Sequence, residues 1–188
     1  PPTVRRARGR IREAARLAAR TPAVRWSIAL AALVVSASHV YFFLQQPYLR
    51  AAGVPLALFG AVFAATKIVT ALVANSAHRI EDRLGVVGSA GVMVGVSTLG
   101  LGGMAALTGP VGALLILTRG VLDGLWMPLL NMLMNRLVPS ELRATMLSLQ
   151  SLVSRLVLAA VIALAGMATA RIGLGPTLGV AAAAVAVL

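Results

Sequence analysis

The chain has 188 residues, 59% of them hydrophobic and 12% charged, and a mean hydropathy of +0.91. A soluble globular domain is about one quarter charged and cannot hide so much apolar surface, so lipid is the solvent for most of this chain. The net charge of +12 would point to nucleic acid on a soluble fold. Here eight of the 17 basic residues (Arg5, Arg6, Arg8, Arg10, Arg12, Arg16, Arg20 and Arg25) precede the first apolar run, and the lack of cysteine excludes disulfides and thiolate metal sites.

Residues 1–25 form this basic segment, which is expected to be helical and to lie on anionic lipid headgroups. The segment has no aromatic residue to stack on bases, no folded reader domain and no initiator methionine. A cytoplasmic loop obeying the positive-inside rule is therefore preferred over a transit peptide or a nucleic-acid arm. Residues 26–188 hold the apolar runs.

A bilayer core of about 30 Å needs roughly 20 helical residues. Five stretches qualify, at 26–48, 55–78, 85–107, 110–137 and 144–170, and a sixth at 175–188 is too short to span. The class expected is all-α, a polytopic membrane helical bundle with five complete spans and a truncated sixth. Pro1 in place of methionine and an apolar run that stops at Leu188 suggest a chain cut at both ends. Sixteen arginines against one lysine suggest a GC-rich bacterial genome.

Breaker chemistry marks the connections: Ala52-Gly53-Val54-Pro55, Thr108-Gly109-Pro110, and Val138-Pro139 followed by Ser140, expected to cap the next helix with Glu141 beside its positive end. Connections this short make consecutive helices antiparallel. Arg79, Arg83, Arg136 and Arg143 then fall on the side of the basic segment, and only Arg50 and Arg171 on the other. The N-terminus is expected to face the cytoplasm of a multi-pass plasma-membrane protein, a bacterial inner membrane in this reading.

A charge at the middle of a membrane helix costs roughly 2.5–3.5 kcal/mol on insertion scales, so each one calls for a reason. The first span carries His39, Tyr41, Gln45 and Gln46, the second Lys67 and Asn75, the fourth Arg119, Asp123 and Asn131, and the fifth Ser148, Ser151 and Arg155. His39, Lys67, Asp123 and Arg155 lie near the midpoints of their spans, the depth at which transporter sites form. Arg119 and Asp123 are one turn apart and can pair, and Trp126 and Leu130 continue their face. The third span carries Gly88, Gly91, Gly95 and Gly102 and no ionisable group, which reads as a helix-packing stripe. Each polar residue also has a structural explanation: an internal ion pair for Arg119 and Asp123, carbonyl bonding for Arg155, simple packing for His39.

A basic segment followed by six spans, with polar residues on the first, second, fourth and fifth, resembles the C-terminal half of the major facilitator superfamily. Glu81-Asp82-Arg83-Leu84-Gly85 is similar to that family's Asp-Arg-x-Gly loop, although His78 replaces the usual preceding glycine and Val86 and Val87 the usual basic residues. Arg119-Gly120 through Asp123-Gly124 is similar to an arginine-to-glycine element of its cavity helices, with the spacing off by one. The run from Pro139-Ser140 through Arg143-Ala144-Thr145 to Ser148 resembles a junction of many prokaryotic members.

The resemblance implies half of a twelve-helix secondary transporter, working by alternating access with a missing N-terminal six-helix bundle or a second copy. His39, Gln45, Lys67, Arg119, Asp123, Asn131, Ser151 and Arg155 would line the solute and ion pathway, and Asp82, Arg83 and Arg143 the cytoplasmic gate. Lys67, Arg119 and Arg155 against Asp123 favour an anionic or carboxylate-bearing solute, or acidic groups on the missing half, and Asp123, the one carboxylate inside a span, is the proton-coupling candidate. The partners expected are a small solute and the bilayer, with no nucleic acid, cofactor or metal. A polytopic scaffold that moves nothing is the alternative. An intramembrane enzyme is disfavoured, because no Gly-x-Ser-x-Gly, His-Glu-x-x-His or paired aspartate motif occurs.

Overall fold

Helix α1 spans Pro2–Arg20 and α2 Pro22–Ala51, and a turn with Gly53 at φ 73° leads to a short 3-10 segment, Leu56–Leu58. Helix α3 covers Phe59–Ala106, α4 Pro110–Leu114, and a second 3-10 segment, Leu115–Leu117, joins α4 to α5, Thr118–Leu137. Helix α6 runs from Ser140 to Ile172 and α7 over Leu174–Ala186. The computed structural model describes residues 2–107 and 109–187, with side chains from residue 9 onward. Expectations resting on the side chains of Arg5, Arg6 and Arg8, or on Thr108 and Leu188, lie outside the described residues. Among the described residues there is no strand.

Four helical segments are long and apolar enough to cross a membrane: Pro22–Ala51, Leu56–Ala106, Pro110–Leu137 and Ser140–Ile172. Several exceed the expected spans because the backbone hydrogen bonds continue beyond the apolar run of each helix. The two expected spans at 55–78 and 85–107 are the two helical arms joined here as α3. They are separated by Gly85, whose φ of 67° and ψ of −176° are non-helical and open in practice only to glycine.

Side-chain pairings give the directions. Ser38 meets Asp123 and Tyr41 meets Thr118, so α2 and α5 are antiparallel. A Cβ on Gly120 would lie 2.7 Å from the Thr66 carbonyl and one on Gly124 2.7 Å from that of Thr70, so the first arm of α3 runs parallel to α5. Tyr41 donates to the Ser97 carbonyl and Tyr48 to that of Leu107, so the second arm runs parallel to α2. The chain therefore turns back at Gly85, and the antiparallel order expected from short connections holds there.

Two apolar clusters are stacked along the bundle. Residues 24–37 of α2, Ala77 and Met93 of α3, Leu122 to Met134 of α5 and Met146 of α6 belong to the first. Val40 to Leu49 of α2 and the following Ala52, Phe59 and Leu101 of α3, Ile116 and Leu178 belong to the second, with Val161 and Ala165 of α6 against it. Outside them, Ile68, Leu72, Leu99, Leu156 and Leu164 are each more than 60% exposed, a cost in water that lipid removes. Helix α1 packs Ala14 and Ala18 into the first cluster and leaves Arg10, Arg12, Arg16 and Arg20 outside.

Two local expectations are corrected. Ser140 does not cap α6: Pro139 occupies the cap position, and the Ser140 hydroxyl donates to the Glu141 carboxylate at 2.8 Å. Of the glycine stripe of the second α3 arm, Gly102 packs against Ala182 of α7, with a Cβ there 3.7 Å from the Ala182 Cβ, whereas a Cβ on Gly91 or Gly95 would meet nothing within 4 Å among the described residues. A close backbone approach lies at Gly120 and Gly124, four residues apart, where the α3 carbonyls of Thr66 and Thr70 leave no room for a side chain.

Candidate functional site

Between the two apolar clusters lies a polar layer. Ser38 falls between the α2 contributions to each cluster, Arg119 between Ile116 and Leu122, Lys67 between Phe59 and Ala77, and Arg155 between Met146 and Val161.

Asp123 is its centre. Its Oδ1 accepts from the Ser38 hydroxyl at 2.5 Å, and its Oδ2 faces Arg119 Nη2 at 3.2 Å and Lys67 Nζ at 3.4 Å. Arg119 Nε also reaches Ser38 Oγ at 3.4 Å, and its guanidinium lies 5.1 Å from the centre of the Phe42 ring. Phe42 is held edge-on by Phe43 and Phe63. The cation rests on a π face, where desolvation strengthens the attraction, and a carboxylate flanked by two cations has the partners a buried charge requires.

The layer is open on one side. The Arg119 and Asp123 side chains are 10% and 17% exposed, whereas that of Lys67 is 62% exposed. Lys67 therefore projects from the bundle while keeping its ammonium on the internal carboxylate. Asn75 and Asn131 are exposed, and α5 and α6 barely touch. Ser148, Ser151 and Arg155 line a shallow groove on α6, with Arg155 Nε 3.4 Å from Ser151 Oγ. Arg155 shares the level of the Asp123 cluster but makes no hydrogen bond or ion pair with it among the described residues.

Other expected site residues stand apart. His39 points one ring nitrogen at the Val35 carbonyl, 2.7 Å away on its own helix, and is half-buried. Since a carbonyl only accepts, that Nδ1 is the donor. Gln45 is fully buried among the second cluster's residues, and neither amide atom has a partner among the described residues.

A second polar node sits one turn from Ser38. The Tyr41 hydroxyl donates to the Ser97 carbonyl at 2.9 Å and lies 3.1 Å from Thr118 Oγ1, which itself donates to the Leu115 carbonyl. It ties α2, α3 and α5 together beside the 3-10 segment.

At the bundle end that carries Gly85, buried Glu81 accepts from Arg136 at 3.0 Å and joins α3 to α5. The gate candidates lie around this pair. Asp82 faces His78 at 3.7 Å, Arg83 is exposed, and Arg143 Nη2 reaches the Asn135 carbonyl at 3.5 Å. His78, Glu81 and Asp82 place potential ligand atoms within 4.8 Å of one another. Arg136 already compensates the Glu81 carboxylate, which leaves only two free donors, both exposed.

Sequence reasoning missed Ser38, Phe42, the Tyr41–Thr118 node, Glu81–Arg136 and the buried pair Gln150 and Ser154 on α6. Ser38 and Phe42 are four residues apart and share a helical face, which was a usable signal, but nothing in their spacing identifies the partner helix. No family model, curated protein or solved structure matches the chain.

Proposed function

We propose that this chain is the membrane-embedded half of a secondary transporter of the major facilitator type, moving a small solute by alternating access against a second bundle. The observation that carries this reading is Asp123, held between two apolar clusters by Arg119, by Ser38 of α2 and by Lys67 of α3, with Lys67 reaching the open side. A scaffold has no use for a charge whose insertion is costly, whereas a carrier needs groups whose partners exchange as solute or proton arrives. In this reading Gly85 divides the long helix into two spans, giving five in all, and Leu174–Ala186 belongs to a sixth. The arginine-rich ends face the cytoplasm of a bacterial inner membrane.

Lys67 and Arg119 exceed Asp123 by one charge, and Arg155 at the same level adds another, which favours an anionic or carboxylate-bearing solute. Asp123 is the proton-coupling group, and Asp82, Arg83 and Arg143 close the cytoplasmic side around Glu81–Arg136. The partner bundle is an N-terminal six-helix half or a second copy.

The test is solute uptake driven by an imposed pH gradient, in liposomes holding the protein purified from its native membrane. Asp123→Asn abolishes the coupled component and Lys67→Ala weakens uptake of anionic solutes. Full coupled uptake in both variants would sink the proposal. It would favour the second reading, a structural ion cluster in a non-transporting scaffold. That reading draws on the completeness with which Ser38, Phe42 and Asp123 satisfy Arg119 inside the bundle.

A further inference from the structure

We infer that the open side of the polar layer binds an aromatic carboxylate, its carboxylate on Lys67 and its ring against Phe43 and Phe63. This rests on the transporter reading above and narrows the solute to one chemical class. Three of the chain's four phenylalanines gather at this level. The Phe42 ring stands edge-on to Phe43, 5.6 Å between centroids, and to Phe63, 6.1 Å away. A phenylalanine facing lipid is unexceptional, but these rings share their level with two cations. Arg119 lies 5.1 Å from the Phe42 ring centre. Phe63 and Lys67 are one turn apart on the first arm of α3, a spacing of about 5–6 Å between Cβ atoms.

The two cations differ in what they can still bind. Arg119 is 10% exposed and engaged with Asp123, Ser38 and Phe42. Lys67 is the one lysine among 17 basic residues, and its side chain is 62% exposed. An ammonium carries three donors on a flexible stem. Asp123 takes one at 3.4 Å, and no other partner occurs among the described residues. Such exposure at this depth is costly against lipid, so this side faces water or a solute. Phe42 and Phe43 are 42% and 51% exposed, and Phe63 is half-buried. With Arg119 on the face of Phe42, the rings left for a solute are Phe43 and Phe63.

A compact anion such as acetate reaches the ammonium and leaves the rings uncovered. A benzoate-like molecule meets both, because its ring begins one bond from its carboxylate. Contact between aromatic rings adds affinity beyond the area buried.

The experiment is equilibrium binding of radiolabelled benzoate to the protein purified from its native membrane, with cyclohexanecarboxylate and acetate as competitors. Cyclohexanecarboxylate has the same charge and a saturated six-carbon ring, so a preference for benzoate reads ring–ring contact rather than partition. Benzoate is expected to bind about 3–10 times more tightly than cyclohexanecarboxylate, from one aromatic pair, and acetate most weakly. Phe43→Leu combined with Phe63→Leu levels the first two. Lys67→Gln weakens both by about tenfold or more, as loss of a charged hydrogen bond does. Circular dichroism of each variant confirms the helical fold. Equal affinity for benzoate and cyclohexanecarboxylate in the parent chain would overturn the inference. So would an unchanged preference in the phenylalanine variant, or benzoate binding unaltered by Lys67→Gln. Uptake in liposomes separates this from the transporter reading: pH-driven uptake of other anions without a benzoate preference sinks the aromatic site alone. Benzoate bound at Lys67 with no uptake of any anion sinks the transport reading and upholds the site.

Discussion

Replacing Asp123 by asparagine removes the one negative charge of the polar layer and leaves Arg119 without a counter-ion. At 3.2 Å and an effective dielectric constant of about 20, two unit charges attract by about 5 kcal/mol. Desolvation of both groups offsets part of this, and breaking a buried pair by deleting one partner costs about 3–5 kcal/mol in practice. Asparagine keeps an acceptor for Ser38, and the open side admits some screening, so the expected loss is about 2–4 kcal/mol. Lys67, with 62% of its side chain exposed, contributes at most about 1 kcal/mol, so Lys67→Gln is the milder change. The decisive comparison is with the double variant Asp123→Asn with Arg119→Leu, which removes both charges and is expected to be less destabilised than the two single losses together by at least about 1.5 kcal/mol. Reversible unfolding in mixed micelles with increasing sodium dodecyl sulfate measures all four corners of the cycle. Additivity within about 0.5 kcal/mol would refute the claim that Arg119 and Asp123 stabilise one another.

Gly124→Val drives a side chain into the Thr70 carbonyl and Val73 at under 3 Å and is expected to cost about 2 kcal/mol or more; Gly91→Ala, with open space around it, is neutral or stabilising by up to about 1 kcal/mol in the same assay. Gly85→Ala forces a Cβ onto φ 67°, with an expected loss of about 1–3 kcal/mol and earlier proteolysis at the turn between the α3 arms; unchanged stability would mean that the turn is not as described. Arg136→Gln, which leaves the buried Glu81 carboxylate without its cation, lowers the unfolding midpoint well beyond Asp82→Asn, whose carboxylate is 58% exposed; equal effects would remove Glu81–Arg136 as the link between α3 and α5.

Much of the architecture was legible in the residues alone. Runs of about 20 apolar residues have one physical use, and Gly53, Val138 and Pro139 end helices because of their own backbone preferences. Arg119 and Asp123 pair because four residues make one turn, a relation internal to a single helix. The level of the polar layer was legible too, since depth is counted along each span. Facing was not. Successive residues differ by about 100° around a helix, so His39 and Ser38, or Asp82 and Glu81, differ little in depth but point to different neighbours. Ser38 and Glu81 make the interhelical contacts. The glycines tell the same story: the stripe of the second α3 arm and the pair Gly120 and Gly124 carry the same spacing, and only the second meets a backbone.

The amino-acid sequence by itself determined that the chain carries helices apolar enough to cross a membrane, where those helices break, and how far along each one its charges lie, because those properties follow from local transfer energies and backbone preferences. Only the tertiary structure decided that Ser38 and Lys67 join Arg119 on Asp123 and that Glu81 meets Arg136. In a bilayer both faces of a helix are apolar, so the choice of neighbour is made by close packing and a few polar contacts between helices distant in sequence.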